Sequence, residues 1–309
     1  MTPRQIGLLA ALAAIWGGSY LLIKYALEDL DAPVIVWART AIAALVLLVA
    51  LRGAARGAFA DVRRRPGWAV LLSLLAVSLP FMLITLGELE VPSGLTAVLI
   101  SPAALFVALF APWIDPSERI DRKQAVGMSI GLAGVALVVG VESISTLAQF
   151  LGALAMVGAA AFYALGGFVV KRHYGRLTSI QASFVSISAA SLWTLPAAVA
   201  TAPTETPGLG AVAAVVGLGV IATALAFVIF YTLIAEVGAG RASLVAYLAP
   251  GVALFYGALF LDEAITVAAI AGLALILGGV ALASRPRREQ VPEPVACPEH
   301  GPEAVAGRA

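Results

Sequence analysis

Long apolar runs, separated by short polar stretches, follow one another along most of the 309-residue chain. Each run has about 20 residues, the length that an α-helix needs to cross the hydrocarbon core of a bilayer. Charged residues, proline and glycine mark the ends of the runs. The pattern predicts ten transmembrane helices: Ile6–Ala26, Pro33–Leu51, Gly67–Gly87, Ser93–Trp113, Lys123–Gly140, Phe150–Val170, Ile180–Val199, Gly210–Ala235, Ala242–Leu261 and Ile265–Ala283.

Composition agrees with this interpretation. The chain is 61% hydrophobic and 12% charged, with a mean hydropathy of +0.99, whereas about 25% of the residues in soluble domains are charged. Little chain remains for a separate soluble domain. Residues 285–309 combine proline with glutamate and lack apolar content, so we expect a disordered cytoplasmic tail.

The charges alternate along the chain. Sixteen of the 19 Lys and Arg residues lie in the N-terminal segment, in every second connection and at the start of the tail. Short cytoplasmic loops are enriched in basic residues, so both termini are predicted to be cytoplasmic. The other connections contain no basic residue and hold Glu28, Asp29, Asp31, Glu88, Glu90, Glu142, Glu205, Asp262 and Glu263.

The two halves of the chain share a pattern. Pro102 and Pro250 lie 148 residues apart in similar apolar segments, and further pairs follow at a spacing of 145: Glu118 and Glu263, Gly127 and Gly272, and Gly134 and Gly279. A unit with an odd number of spans reverses its orientation when it is repeated in tandem. We therefore predict an all-α membrane protein built of two inverted five-helix repeats, residues 1–143 and 144–284.

Several of these features together resemble the EamA-type family of the drug/metabolite transporter superfamily. They are the early segment IWGGSYLLIKYAL, the proline and arginine of the segment Pro33–Arg39, and the Pro-to-Glu-to-Gly-x6-Gly pattern present twice. The resemblance implies ten helices, alternating access, and export of metabolites or amino acids across a bacterial inner (plasma) membrane. Within the family the chain is similar to the YddG-like amino-acid exporters. One departure is that the second half lacks a counterpart of Arg39.

Polar and aromatic residues inside spans are the candidates for a substrate site, because lipid offers polar groups no partners and they usually face the bundle or a cavity. Together they indicate a largely apolar cavity with few polar groups, suited to amphiphilic molecules more than to phosphates. Helix packing is the alternative role for several of them. The candidates are Trp16, Ser19, Tyr20, Ser78, Met82, Tyr163, Thr223, Phe227 and Tyr247.

Three prolines lie inside predicted spans, and we interpret Pro80, Pro102 and Pro250 as hinge candidates. Discontinuous helices at corresponding places of two repeats are a good indication of a transporter's site, although a tolerated kink is the alternative. The glycine-rich fifth and tenth spans are interpreted as close-packed scaffold helices or as the interface of a homodimer.

Arg39 lies inside the second predicted span, where a charge is costly unless it is paired or reaches the surface. A substrate carboxylate, Glu88 or Asp31 could pair with it, so Arg39 is a candidate for carboxylate recognition. Snorkelling of the side chain to the outer surface is the alternative.

The leading hypothesis is a secondary transporter that exports small metabolites, especially amino acids including aromatic or neutral ones. A carrier of nucleotide sugars, drugs or other metabolites is the alternative, and an intramembrane lipid-modifying enzyme is the alternative from another class. The chain has no P-loop and no intramembrane histidine cluster, and Asp115, Glu118 and Asp121 are interpreted as a solvated loop. We expect no enzyme activity, cofactor, metal or nucleic-acid partner; the expected partners are the bilayer and a small molecule.

Overall fold

The computed structural model describes residues 1–51, 55–114, 120, 122–141, 146–174, 177–237, 242 and 244–283. Within these ranges all regular structure is helical and no strand occurs. The predicted tail, and the acidic loop residues Asp115, Glu118 and Asp121, lie outside the described residues.

Nine helical segments belong to the first half of the chain. They are α1 (Pro3–Leu27), α2 (Ala32–Leu51), α3 (Ala55–Arg64), α4 (Pro66–Ser73), a first π-helical segment (Leu74–Ser78), α5 (Leu79–Gly87), α6 (Ser93–Ile100), α7 (Ala103–Ile114) and α8 (Arg122–Val141). The second half contains α9 (Leu147–His173), α10 (Ser179–Ala200), α11 (Leu209–Gly217), a second π-helical segment (Leu218–Leu225), α12 (Ala226–Val237), α13 (Val245–Phe260) and α14 (Val267–Ala283).

These segments form ten spans. Eight helical stretches are long and apolar enough to cross a membrane, and α13 and α14 are two shorter apolar helices. The third span comprises α4, the first π-helical segment and α5; the fourth comprises α6 and α7; the eighth comprises α11, the second π-helical segment and α12. The predicted fold class, an all-α membrane protein of ten helices in two inverted repeats, is confirmed.

Helix α3 was not predicted, because its sequence ARGAFADVRR contains no apolar run. It is amphipathic: Ala58 is buried while Arg63 and Arg64 lie in its last turn. The Phe59 ring meets Phe184 of α10 edge to face, with 5.4 Å between centroids. This contact gives a short surface helix the tertiary support that it needs.

Equivalent helices of the two halves pack against each other. Helix α2 packs on α10 and α8 on α14, while α1 contacts α13 and the eighth span, and α9 contacts the third and fourth spans. Each half therefore presents its first helix to the third and fourth spans of the other half. This reciprocal packing is what an approximate two-fold axis in the membrane plane produces.

Glycines bring α8 and α14 close together. A Cβ atom on Gly127 would lie 2.7 Å from the carbonyl oxygen of Gly279, and one on Gly134 would lie 2.8 Å from that of Gly272. Both distances are too short for any larger residue. These glycines therefore serve a close helix contact inside the chain, as small residues do in membrane proteins; the homodimer stays a prediction.

The end of the bundle opposite the N-terminus, here named the acidic end, carries Asp29, Asp31, Glu88, Glu90, Glu205 and Glu263. Hydrogen bonds between different spans connect the helices at this end. The Gly208 N–H donates to Asp29 Oδ2 at 2.8 Å, and Lys24 Nζ donates to the main-chain oxygen of Glu88. At the N-terminal end, Arg4 Nη1 pairs with Glu236 Oε1 at 2.6 Å.

Candidate functional site

Arg39 lies inside the bundle with 5% of its surface exposed. Its Nε and Nη2 atoms donate to Thr223 Oγ1 at 3.4 and 3.2 Å. Its Cζ atom lies 4.0 Å from the centroid of the Phe81 ring, which is cation–π geometry. The side chain thus points inward and does not snorkel to the surface, and the site draws on α2, α5 and the second π-helical segment.

Thr223 and its counterpart Ser78 occupy equivalent places in the two halves. They are 145 residues apart, the spacing of the repeat, and each lies in one of the two π-helical segments. Short π-helical stretches in α-helices frequently mark functional sites. In the third span, Pro80 lacks the N–H that would bond to the carbonyl of Ala76, which favours departure from α-helical bonding there.

The two hydroxyl groups differ in their partners. Thr223 is fully buried and accepts from Arg39, whereas the Ser78 hydroxyl is buried without a partner among the described residues. Position 184, at the repeat spacing from Arg39, holds a phenylalanine. The site is therefore asymmetric, with its cation on one side of the approximate two-fold axis.

Two tyrosines and a carboxyl group lie near enough to Arg39 to act on its charge. Tyr20, Tyr163 and Glu88 lie within electrostatic range of the guanidinium group. Tyr163 packs against two buried hydrophobic clusters, a first that includes Leu218 and a second that includes Phe184, and Tyr247 packs against the first. The structure thus brings Arg39, Thr223, Tyr20 and Tyr163 together, as a common site requires.

An aromatic group lies on α1 and α12, and its member Phe227 is four residues after Thr223 along the eighth span. The Trp16 ring lies 6.4 Å from the Phe227 ring, edge to face, and 5.2 Å from the Phe230 ring. Gly17 and Gly18 let α13 approach α1, because a Cβ on Gly17 would lie 2.9 Å from the Val252 side chain. Trp16 and Phe227 are thus neighbours, as expected of residues that line one cavity.

Other predicted residues have local partners. The Ser19 hydroxyl donates to the carbonyl of Trp16 at 2.7 Å within α1, a common alternative for a serine inside a helix. Met82 packs at the border of the second hydrophobic cluster. The proposed roles of both residues in binding stay predictions.

The three hinge candidates have different surroundings, although all are buried. Pro102 interrupts its span between α6 and α7, and Pro80 follows the first π-helical segment. Pro250 instead lies inside the continuous helix α13. The two symmetry-related prolines therefore do not break their helices alike, and their hinge roles stay predictions.

Sequence reasoning missed Phe81 and Phe230 and placed Glu88 in an outer loop. The two rings contact predicted residues, yet apolar side chains inside a membrane span give no signal that separates a site from lipid contact. Glu88 follows α5 directly and is fully buried. No group of three or more metal-ligating side chains occurs in the part of the chain that the structure describes.

A family model for EamA-like transporters matches residues 4–140 and again residues 150–285. Two matches of this length cover most of the chain and reproduce the repeat seen in the helix packing. The chain belongs to the EamA-like transporter family. The family and the names of its relatives indicate a membrane transporter rather than an enzyme.

Among EamA-like relatives, an uncharacterized transporter of Bacillus subtilis (strain 168), YvbV, is 27% identical over 290 residues, covering 92% of both chains. A probable terminal-alkyne amino-acid exporter of Streptantibioticus cattleyicolor is 28% identical over 212 residues, 66% of this chain and 68% of that protein. A probable amino-acid metabolite efflux pump of Escherichia coli (strain K12) is 24% identical over 288 residues, 90% of this chain and 94% of that protein.

A solved crystal structure has the same fold as this EamA-like chain. Its TM-score is 0.62 with 19% sequence identity, and the match covers 92% of this chain and 97% of the other. At this identity the likeness concerns the fold alone.

Proposed function

We propose that this EamA-like protein is a secondary transporter that exports amino acids, including aromatic and neutral ones. The substrate binds between the two halves near Arg39, and the halves open alternately towards the two sides of the membrane. The protein lies in a bacterial inner membrane with both termini in the cytoplasm, in agreement with the distribution of its basic residues.

The observation that carries this proposal is a buried cation that forms no salt bridge with any of the described residues. A guanidinium group has five N–H donors, and among the described residues Arg39 donates only to the Thr223 hydroxyl. A buried charge is stable only when it is paired and hydrogen-bonded. A carboxylate on the substrate supplies both, because its two oxygens match the planar fork of an arginine.

The surroundings of Arg39 favour a molecule that also has an apolar part. Trp16, Phe227 and Phe230 form an aromatic wall that starts four residues after Thr223, and Tyr20 and Tyr163 lie within electrostatic range of the cation. One cation, a few hydroxyls and an aromatic wall suit an amino acid better than a multiply charged phosphate. The names of two relatives, an amino-acid exporter and an amino-acid metabolite efflux pump, support the same class.

Uptake into liposomes that contain the purified protein tests the proposal. Radiolabelled neutral, aromatic and charged amino acids are compared with their amide analogues, which lack the carboxylate, and with a nucleotide sugar. Saturable uptake of amino acids, stronger than that of the amides, is the expected result. Uptake of the nucleotide sugar alone, or no uptake of any amino acid by folded protein, would overturn it.

A further inference from the structure

Glu88 is a buried carboxyl group that the proposed substrate site does not use. It follows the last residue of the third span, and none of its surface is exposed. Neither carboxyl oxygen has a hydrogen-bond partner in the described part of the chain. A carboxylate in this state would lack both water and donors, so the neutral acid is the more stable form.

The titratable groups around Glu88 come from several elements. Lys24 and Tyr20 approach from α1, Arg39 from α2, and Glu263 from the connection between α13 and α14. Helix α9 contributes the uncharged Met156 and Gly152, which face Gly87. The nearest cation does not neutralise the carboxyl group, because Lys24 Nζ donates to the main-chain oxygen of Glu88 and not to its side chain.

These neighbours act in opposite directions. Burial raises the pKa of Glu88 well above its ordinary value, Lys24 lowers it, and Glu263 raises it again. In the proposed alternating access, this burial belongs to the state in which the acidic end is closed. When that end opens, water reaches the carboxyl group and favours its ionised form.

We propose that Glu88 is a proton-binding site coupled to closure of the acidic end. The carboxyl group binds a proton when this end closes and donates it to water when this end opens, which leaves a hydrated carboxylate. The ligand is a proton, and its binding makes transport depend on pH at the acidic end. This inference rests on the proposed transport function, and it assigns the coupling group for that function.

The chain offers a matched control two residues away. Glu90 is exposed at the same end, so Glu90→Gln removes a carboxyl group without removing the buried one. Infrared spectra of the protein in lipid report a protonated carboxyl group directly and need no substrate. At neutral pH we expect the carbonyl stretch of a protonated carboxyl group in the wild type and in Glu90→Gln. This band should be absent in Glu88→Gln. An unchanged band in Glu88→Gln would overturn the proposal.

A second experiment tests the coupling between proton binding and transport. Uptake of neutral amino acids into liposomes is measured while the pH on one side of the membrane is varied. One titrating proton changes the wild-type rate by at most about tenfold per pH unit. We expect Glu88→Gln to transport without this pH response and Glu90→Gln to retain it. If Glu88→Gln does not fold, Glu88→Asp, which keeps the carboxyl group on a shorter side chain, should shift the pH midpoint.

The two proposals fail in different ways. No uptake by the wild type at any pH would overturn the amino-acid function. Uptake that responds to pH equally in the wild type and Glu88→Gln would overturn the proton site alone, as would wild-type uptake that does not respond to pH.

Discussion

The carboxylate of Glu263 accepts two hydrogen bonds from Ser93, although the two residues are 170 positions apart in the sequence. The Ser93 N–H donates to Oε1 at 2.7 Å and the Ser93 hydroxyl to Oε2 at 3.0 Å, while the Gly94 N–H donates to Oε2 at 2.9 Å. The charge lies at the first turn of α6, where the helix dipole favours an anion. The second half of the chain is thus connected to the fourth span at the acidic end.

Local backbone structure places this carboxylate. Asp262 has a φ of 52° at the end of α13, a left-handed conformation that aspartate tolerates. The Glu263 N–H then donates to the carbonyl of Gly257 at 3.1 Å. Gly257 lacks a side chain where a Cβ would collide with the Glu263 carboxylate. Asp262 and Gly257 thus direct the Glu263 side chain to α6.

We expect Glu263→Gln to favour opening of the acidic end. Charge-assisted hydrogen bonds contribute about 1.5–3 kcal/mol, so the open population should rise by about tenfold or more. Ala97, buried on α6, is replaced by cysteine in a Cys297→Ala background and labelled with a membrane-impermeant maleimide. Labelling should be faster in Glu263→Gln than in the background protein. Glu205→Gln, at an exposed position of the same end, is the control, and equal labelling rates in both variants would contradict the prediction.

Replacing Arg39 should affect carboxylates selectively. Arg39→Gln removes the N–H fork and its charge. Because hydrogen bonds to a charged group contribute about 1.5–3 kcal/mol, the affinity for amino acids should fall by about 10- to 100-fold. Transport of the matching amino-acid amides should change little. The apparent affinities for both series are measured in liposomes, with Arg122→Gln, at an exposed position, as the control. Equal loss for acids and amides would favour a structural role for Arg39.

The approximate symmetry supplies a matched pair of hydroxyl variants. Thr223→Val removes the acceptor that orients Arg39, and Ser78→Ala removes the counterpart that has no partner among the described residues. A typical hydrogen bond contributes about 0.5–1.5 kcal/mol, so KM for amino acids should rise about twofold to tenfold in Thr223→Val. Ser78→Ala should leave KM unchanged. A larger effect of Ser78→Ala would mean that substrate binds on the other side of the axis.

The ten spans and the repeat could be predicted from the sequence, because lipid demands long apolar helices and repeated proline, glutamate and glycine positions survive within them. The side-chain contacts inside the bundle could not be predicted in this way. Arg39 had a substrate carboxylate, two acidic side chains and the surface as alternatives, and only the rotation of α2 decides that it meets Thr223 184 residues away. The π-helical geometry at Thr223 and Ser78 likewise depends on packing between spans and leaves no mark in hydropathy.

Glu88 illustrates a second limit of the sequence. A glutamate directly after an apolar run is typical of a span that ends in water, so the pattern predicted a loop residue. Packing of α9 on α5, together with the Lys24 side chain of α1 at the Glu88 main chain, buries it instead. Glu90, two positions later, is exposed, which shows that burial here depends on tertiary contacts and not on residue type.

The aromatic wall should determine the preference among amino acids. Trp16→Ala removes a ring that contacts Phe227 and Phe230, and aromatic pairs contribute about 0.5–1.5 kcal/mol beyond buried area. Uptake of aromatic amino acids should therefore fall about twofold to tenfold relative to small neutral ones. Competition assays with both classes measure this ratio. Trp193→Ala removes an exposed tryptophan of α10 and should leave the ratio unchanged; a similar change in both variants would argue against a specific wall.

The contact between α8 and α14 can be tested with adjacent glycines. A Cβ on Gly279 would lie 2.5 Å from the carbonyl oxygen of Gly127, whereas one on Gly278 would meet nothing within 4 Å. Because a larger side chain in a packed interface typically costs about 1–3 kcal/mol, Gly279→Ala should lower the unfolding temperature in detergent by several degrees. Gly278→Ala should leave it unchanged or raise it slightly, since alanine has the higher helix propensity. Equal melting of the two variants would mean that the close approach of α8 and α14 does not hold the two halves together.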